Sequence, residues 1–333
     1  MISPIGSIHT SEELIQAGIS TVRRVLKQIA DDVKADPDNA FTEVNIGTPP
    51  KDKKALRVDI GAEDMFAREL RKYKQSTFYD VHVFGEERLR DETLDLTLQS
   101  HICVLVDALD GTDLLERGLG NWCCAAVFFY PSGKPGERIR AAVVGLPSSE
   151  IYFASADESS AWVEERVGKR REVHGRSGVT ALKDATICYY GQKMKNYMSL
   201  HESGLARKMS TMLAKSKTKR KTKGKTEPKT NFRIYNLAGI PMMLKLVDKL
   251  CQASHGIDAV LDIDGQKPHD VVAGAFIAMK AGAVMRNSIT RELVTFEQLE
   301  QSLLKPASPD HELTYVLSAT DELCGNILVN LMS

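Results

Sequence analysis

Three short acidic segments hold the residues of this chain best suited to chemistry. They are Gly85-Glu86-Glu87, then Asp107-Ala108-Leu109-Asp110-Gly111-Thr112, then His269-Asp270. Asp107 and Asp110 follow Ile102-Cys103-Val104-Leu105-Val106, an apolar run that reads as a buried strand. A carboxylate at the tip of such a strand needs a cation to offset its lost hydration. Glu86, Asp107, Asp110 and Asp270 offer the hard oxygen donors that Mg²⁺ takes, and the backbone carbonyl of Leu109 is placed to be a further ligand. His269 is either a ligand or a neighbour of the ligands, and the second role is favoured because a hard ion prefers oxygen.

A cluster of this kind answers the two difficulties of phosphate-ester hydrolysis, a repelled nucleophile and a poor leaving group. One ion acidifies a water and another stabilises the leaving oxygen. Gly111 lets the backbone come close, and the N–H groups of Gly111 and Thr112, at the start of the next element, would point at a phosphate. The Thr112 hydroxyl is placed to orient the attacking water, which Glu86 helps to hold. A hydroxyl needs an acceptor of its own for that task, and Asp59 is the candidate.

The elements that must position these groups can be traced along the chain. Thr10 and Glu13 form a capping-box pattern before Leu14, Ile15, Ile19, Val22, Leu26, Ile29 and Val33, a long amphipathic helix that ends near Asp36-Pro37. A Pro- and Lys-rich loop, Thr48 to Lys54, precedes a helix expected from about Ile60 to Tyr73. Tyr79 to Phe84 and Ile102 to Val106 read as strands running into the acidic motifs. Cys123 to Tyr130, Ile139 to Leu146, Ile151 to Ala154 and Ala161 to Glu165 read as antiparallel strands. After Asp184 strands alternate with helices: strands at Thr186 to Tyr190, Ala259 to Leu261 and Tyr315 to Ser318, helices at Leu237 to Cys251, Val271 to Ala281 and Asp321 to Leu331. The layout is an antiparallel-rich α+β half, residues 1–175, followed by an α/β half, residues 176–333, with the site at their interface.

Composition narrows the possibilities. The 333 residues are 43% hydrophobic with a formal net charge of zero, so overall charge points to neither nucleic acid nor membrane. No apolar run is long enough to span a bilayer, and Met1 to Gly6 does not read as a signal peptide. The six cysteines make no CxxC pair and read as reduced, buried thiols, which suits the cytoplasm. The basic run Lys215 to Lys225, within an insertion over residues 215–229, lacks aromatics and apolar periodicity. It reads as a solvated loop, with contact to a polyanion or a phosphate-rich substrate as the alternative.

The three acidic segments resemble those of the inositol monophosphatase–fructose-1,6-bisphosphatase superfamily of Mg²⁺-dependent, lithium-sensitive phosphatases. Two weaker segments fall in the same order, Leu56 to Glu63, which carries Asp59, and Gly256 to Asp262. The resemblance covers about residues 10 to 290. It implies a layered αβαβα sandwich, often a homodimer, that holds two or three Mg²⁺ ions on Glu86, Asp107, Leu109, Asp110 and Asp270. Thr112 and Asp59 would be its water-activating pair, with phosphate on Gly111 and Thr112. It also implies that Asp262 or Asp264, with His269, meets the substrate. The chain departs from the family pattern where Ala108 replaces Pro, His269 replaces Trp and Lys280 replaces Glu, changes expected to lie around the substrate.

The expectation is therefore a cytoplasmic Mg²⁺-dependent phosphomonoesterase acting on an inositol or sugar phosphate. A 3′-phosphonucleotide such as phosphoadenosine phosphate is the alternative substrate. A catalytically idle relative that binds a phosphorylated ligand is the alternative outside enzymes, and nucleic-acid binding through residues 215–225 is a weaker one.

Overall fold

The computed structural model describes residues 10–46, 53–74, 81–86, 102–175, 178–189, 194–219, 232–237, 239–248, 256–304 and 312–331. In chain order the elements begin with α1 (Ser11–Ala35), α2 (Pro37–Ala40), β1 (Glu43–Ile46), β2 (Lys53–Leu56), α3 (Arg57–Lys74), β3 (Val81–Phe84), β4 (Ile102–Asp110) and α4 (Thr112–Glu116). There follow β5 (Cys123–Phe129), β6 (Ile139–Gly145), β7 (Ile151–Ser155), β8 (Ala161–Glu164), β9 (Arg170–Val173), β10 (Thr186–Tyr189), α5 (Met194–Glu202), α6 (Gly204–Lys219) and β11 (Arg233–Tyr235). The chain continues with α7 (Ile240–Val247), β12 (Ala259–Gln266), α8 (Pro268–Lys280), β13 (Val284–Asn287), α9 (Phe296–Leu303), β14 (Leu313–Ser318) and α10 (Asp321–Leu331).

Two sheets organise the molecule. Strands β3 to β9 lie side by side in chain order, parallel between β3 and β4 and antiparallel from there on. The second sheet has the order β11-β10-β12-β14-β13, with parallel pairing on both sides of β10. Strands β1 and β2 form a separate antiparallel pair.

Side-chain alternation along the strands produces three apolar cores. On β5, Cys124, Ala126 and Phe128 join the core beneath α1 and α3, while Cys123, Ala125, Val127 and Phe129 face the other way. That second core also takes Val271, Phe276 and Met243 of α8 and α7, with Val260, Tyr315 and Leu317 of the second sheet. The remaining face of the second sheet, through Ile187, Leu261 and Val316, packs on α5, α6 and α10. Five layers result, helix–sheet–helix–sheet–helix, as the αβαβα expectation had it.

Helix α8 shows why the middle layer is apolar on all sides. Nine of its residues, Pro268 to Ala278 less His269 and Asp270, are buried, and it touches strands of both sheets. Helix α7 is likewise nearly all buried. Its C-terminal end is held by an ion pair inside the protein: Arg171 on β9 places Nη2 2.8 and 3.0 Å from the two oxygens of Asp248, and Tyr152 on β7 donates to the same carboxylate.

Several boundaries differ from the expectation. Helix α1 starts at its capping box and stops before Asp36-Pro37 as anticipated. Helix α3 begins at Arg57, not near Ile60, which puts Asp59 inside its first turn. Lys53 and Lys54 belong to β2 and not to the loop ahead of it, because they pair with β1. Strand β12 runs on through polar residues to Gln266, carried by its ladder with β14. Strand β9 was not anticipated, since Arg170-Arg171-Glu172 masks it in the hydropathy pattern. The first residues of the basic run, Lys215 to Lys219, end helix α6 instead of forming a loop. Residues 48–52, 79–80, Glu87, 176–177, 190, 220–229, Ala238 and 249–251 lie outside the described residues.

Removing Arg171 takes the cation away from the Asp248 carboxylate, which is 1% exposed, whereas Arg171 also reaches Glu165 at 3.2 Å. Arg171→Ala should cost about 3–5 kcal/mol of stability, read by chemical denaturation. A loss under about 1 kcal/mol would mean that the pair is exposed enough to be replaced by water.

Candidate active site

The site begins with an irregularity in β4. In a regular strand, residues three apart point to opposite faces. Here Asp107 pairs with Ala125 and Asp110 with Cys123, so three steps of β4 are set against two of β5. The extra residue makes a β-bulge. Ala108 and Leu109 consequently both enter the core beneath α1 and α3. Asp107 and Asp110 both turn toward the middle layer, where Asp110 reaches α7. The sequence suggested that the strand ends at Val106 and the chain then turns. The structure carries the strand to Asp110 and brings the two carboxylates together through the bulge.

Gly111 follows, with φ of 88°, in the left-handed region that suits glycine. A Cβ there would lie 2.8 Å from the carbonyl oxygen of Asn121. This turn starts α4 and sends the Thr112 side chain back toward α3. Thr112 Oγ1 donates to Asp59 Oδ1 at 2.7 Å and lies 3.0 Å from the Leu109 carbonyl oxygen. The hydroxyl has one proton, and the carboxylate is the stronger acceptor. Asp59 sits in the first turn of α3, where the helix dipole favours a negative charge.

Helix α8 supplies the facing side. Pro268 at its first position fixes the start of the helix, and Asp270 stands two residues later. The Lys267 N–H donates to Asp270 Oδ2 at 3.3 Å. His269 Nε2 lies 3.5 Å from Asp270 Oδ1 and 3.7 Å from Glu86 Oε2, and its side chain is 12% exposed. Glu86 reaches this point from just beyond β3. One side-chain donor atom from each of Glu86, His269 and Asp270 lies within 4.8 Å of the others.

A further contact was not anticipated. The Ile240 N–H, at the start of α7, donates to Asp110 Oδ2 at 2.8 Å. Gly239 before it has φ of 96°, and a Cβ at that position would lie 2.6 Å from the same oxygen. A signal for it exists in the sequence: a glycine just before a helix whose first turn contains Pro241.

Burial and crowding act together on these carboxylates. Burial pushes Asp107 well above the usual carboxylate range, and the charges of Asp110, Asp270, Glu86 and Asp59 add to it. Asp110 is pushed up to about 8, by burial first and then by Asp270, against the opposing bonds from Ile240 and the Cys123 thiol. The donor set is hard oxygen throughout, apart from one imidazole, and its excess negative charge is what a divalent cation neutralises. The residues present therefore fit such an ion.

The expected substrate residues fall in different places. Asp262 is fully buried on β12. Its Oδ1 accepts from the Asp264 and Gly265 N–H groups at 3.0 and 2.6 Å, and Asp270 is among the charges that it feels. Asp264 instead accepts from Tyr189 Oη at 3.1 Å and from Ser199 Oγ of α5 at 2.9 Å. Lys280 stands ten residues beyond Asp270 on α8, about 15 Å along the helix. Its Nζ donates to the carbonyls of Ala156 and Glu158 at 3.0 and 2.7 Å and lies over the rings of Phe276 and Phe296. The expectation that this departure borders the substrate is thus corrected: Lys280 fastens the β7–β8 turn. Cys123 and Cys124 point to opposite faces, and burial raises both thiols well above their usual range.

No family model and no curated protein matches the chain by sequence. Solved structures do match it over nearly its whole length. The IMPase of Thermotoga maritima aligns with a TM-score of 0.60 at 15% identity, covering 96% of each chain. A Ca-bound IMPase family protein from Staphylococcus aureus aligns with a TM-score of 0.56 at 14% identity, over 96% of this chain and 95% of that one. SaIMPase-II with bound inositol monophosphate aligns with a TM-score of 0.60 at 12% identity, over 96% and 93%. Five layers, two mixed sheets and this breadth of alignment give the chain the fold of the inositol monophosphatases.

Proposed function

We propose that this chain is a divalent-metal-dependent phosphomonoesterase of the inositol monophosphatase–fructose-1,6-bisphosphatase superfamily, working with Mg²⁺ on a small phosphate ester. The observation that carries the proposal is the Thr112–Asp59 hydrogen bond set beside a crowded carboxylate cluster. A protein that only binds a phosphorylated ligand has no need of a hydroxyl whose proton is already committed to a carboxylate.

Glu86, Asp107, Asp110, Asp270 and the Leu109 carbonyl are the groups that would hold the metal. Bound there, Mg²⁺ supplies Lewis acidity: it lowers the pKa of water and neutralises charge on the phosphate and the leaving oxygen. The protein's own residues do the rest. With its proton donated to Asp59, Thr112 Oγ1 keeps lone pairs with which to accept a hydrogen bond from the attacking water. As that water loses a proton to Oγ1, the hydroxyl proton moves to Asp59 Oδ1, so no charge is left on the threonine. The Gly111 and Thr112 N–H groups, at the start of α4, are assigned to the phosphate oxygens. The inositol monophosphate carried by one structural neighbour supports an inositol or sugar phosphate as substrate. Inhibition by lithium and a reducing, cytoplasmic setting belong to the same reading. The latter is supported by Cys103, Cys123, Cys124, Cys188 and Cys324, all buried and unpaired.

The decisive assay is phosphate release from a panel of inositol, sugar and 3′-nucleotide phosphates, with Mg²⁺ and with EDTA. Mg²⁺-dependent release from a polyol phosphate is expected. Thr112→Ala should lower kcat by about 10²–10⁴-fold with little change in the melting temperature. Metal binding by calorimetry without turnover on any member of the panel would instead support the idle, ligand-binding relative.

Stability should report the same cluster. A carboxyl held near 8 in the folded protein and near 3.9 in the unfolded chain keeps a proton that the unfolded state releases. Between those values stability falls as pH rises. EDTA-treated protein should therefore lose melting temperature from about pH 5 to about pH 8, and added Mg²⁺ should flatten that slope. A flat profile in EDTA would remove the crowded-carboxylate account.

A further inference from the structure

His269 is the one group in the cluster that the chemistry of Mg²⁺ does not call for. We propose that His269 is itself a metal ligand, and that with Glu86 and Asp270 it forms a mixed nitrogen–oxygen position preferring a first-row transition ion such as Mn²⁺ over Mg²⁺. The proposal rests on the metal-binding reading given above.

The separations favour shared coordination over a hydrogen bond. At 3.5 and 3.7 Å, His269 Nε2 is beyond the 2.7–3.2 Å at which an imidazole N–H bonds a carboxylate oxygen. Two ligands on one ion, each bonded at about 2.0–2.2 Å, lie about 3–4 Å apart. The placement is rigid. His269 and Asp270 are neighbours in the first turn of α8, behind Pro268, on a helix packed between both sheets. The ring has also lost most of its contact with water, and Nε2 faces the two carboxylates of the cluster. A ring nitrogen with only this partial access to water is stabilised by a polar partner, and an ion shared with Glu86 and Asp270 supplies one. Imidazole is a borderline donor. It adds little for Mg²⁺, which demands oxygen, and strengthens binding of first-row transition ions, Mn²⁺ least among them.

The test uses the full chain stripped of metal by chelator. Mn²⁺ and Mg²⁺ are titrated separately by calorimetry, and pulsed electron paramagnetic resonance of the Mn²⁺ form is searched for ¹⁴N coupling from imidazole. The wild-type chain should show the coupling and bind Mn²⁺ about tenfold or more tighter than Mg²⁺. His269→Gln, and independently His269→Trp, should lose the coupling and about tenfold or more in Mn²⁺ affinity, while Mg²⁺ affinity moves by less than about threefold. Mn²⁺ bound to the wild type without ¹⁴N coupling, or coupling that survives in both variants, would overturn the assignment and leave the phosphatase reading standing. If neither ion binds the wild type, both fall together.

Discussion

Negative charge is packed into the edge of an apolar core, and the architecture around it is arranged to tolerate that charge. Asp107 is 5% exposed within a strand whose other residues, Asp110 apart, are buried hydrophobics. Placing Asp110, Asp270, Glu86 and Asp59 around it multiplies the penalty, because each raises the cost of ionising the next. Left to itself the cluster would hold protons at neutral pH. A divalent cation reverses this, since the same proximity that makes the carboxylates repel one another makes them chelate.

The bulge in β4 is the geometric condition for that arrangement. Without it Asp107 and Asp110 would fall on opposite faces of the sheet, one of them in the core beneath α1 and α3. With it, Ala108 and Leu109 fill that core and both acids face the middle layer. The middle layer then answers with helix starts. Helix α8 delivers Asp270, and α7 delivers the Ile240 N–H to Asp110. Helix α7 is eight residues long, about 12 Å, and its far end is tied down by Asp248, Arg171 and Tyr152. A buried ion pair remote from the chemistry therefore sets the position of a hydrogen-bond donor within it.

Much of this was legible in the sequence, and what was not has definite causes. The acidic segments stood out because a carboxylate directly after a five-residue apolar run is hard to place on a surface. The Thr112–Asp59 pairing could be argued from chemical need, since an orienting hydroxyl requires an acceptor. The bulge could not be read, because DxxD spacing is silent about pairing register and only the partner strand reveals the extra residue. Gly239 and Pro241 mark a helix start locally, but nothing in that pattern ties it to Asp110, 130 positions away. Lys280 was grouped with the other departures from the family pattern around the substrate, whereas helix α8 carries it to the opposite end of the layer. Strand β9 and the helical start of the basic run were hidden by charged residues, whose structure is decided by tertiary partners and not by hydropathy.

The same distribution explains why the groups proposed to hold metal read more clearly than those proposed to meet substrate. Glu86, Asp107, Asp110 and Asp270 sit at the ends of packed strands and helices, and each is placed by an apolar element that leaves a periodic trace. The groups bordering them are set by longer detours. Asp264 is drawn toward the outer layer by Tyr189 and Ser199, and Asp262 is folded onto its own backbone by the turn at Gly265. Neither arrangement follows from spacing alone, because each depends on what the second sheet brings alongside. The groups proposed to set the reaction class thus hold rigid, locally encoded positions. Asp262 and Asp264 instead take directions that are settled only when both sheets have closed on the middle helices.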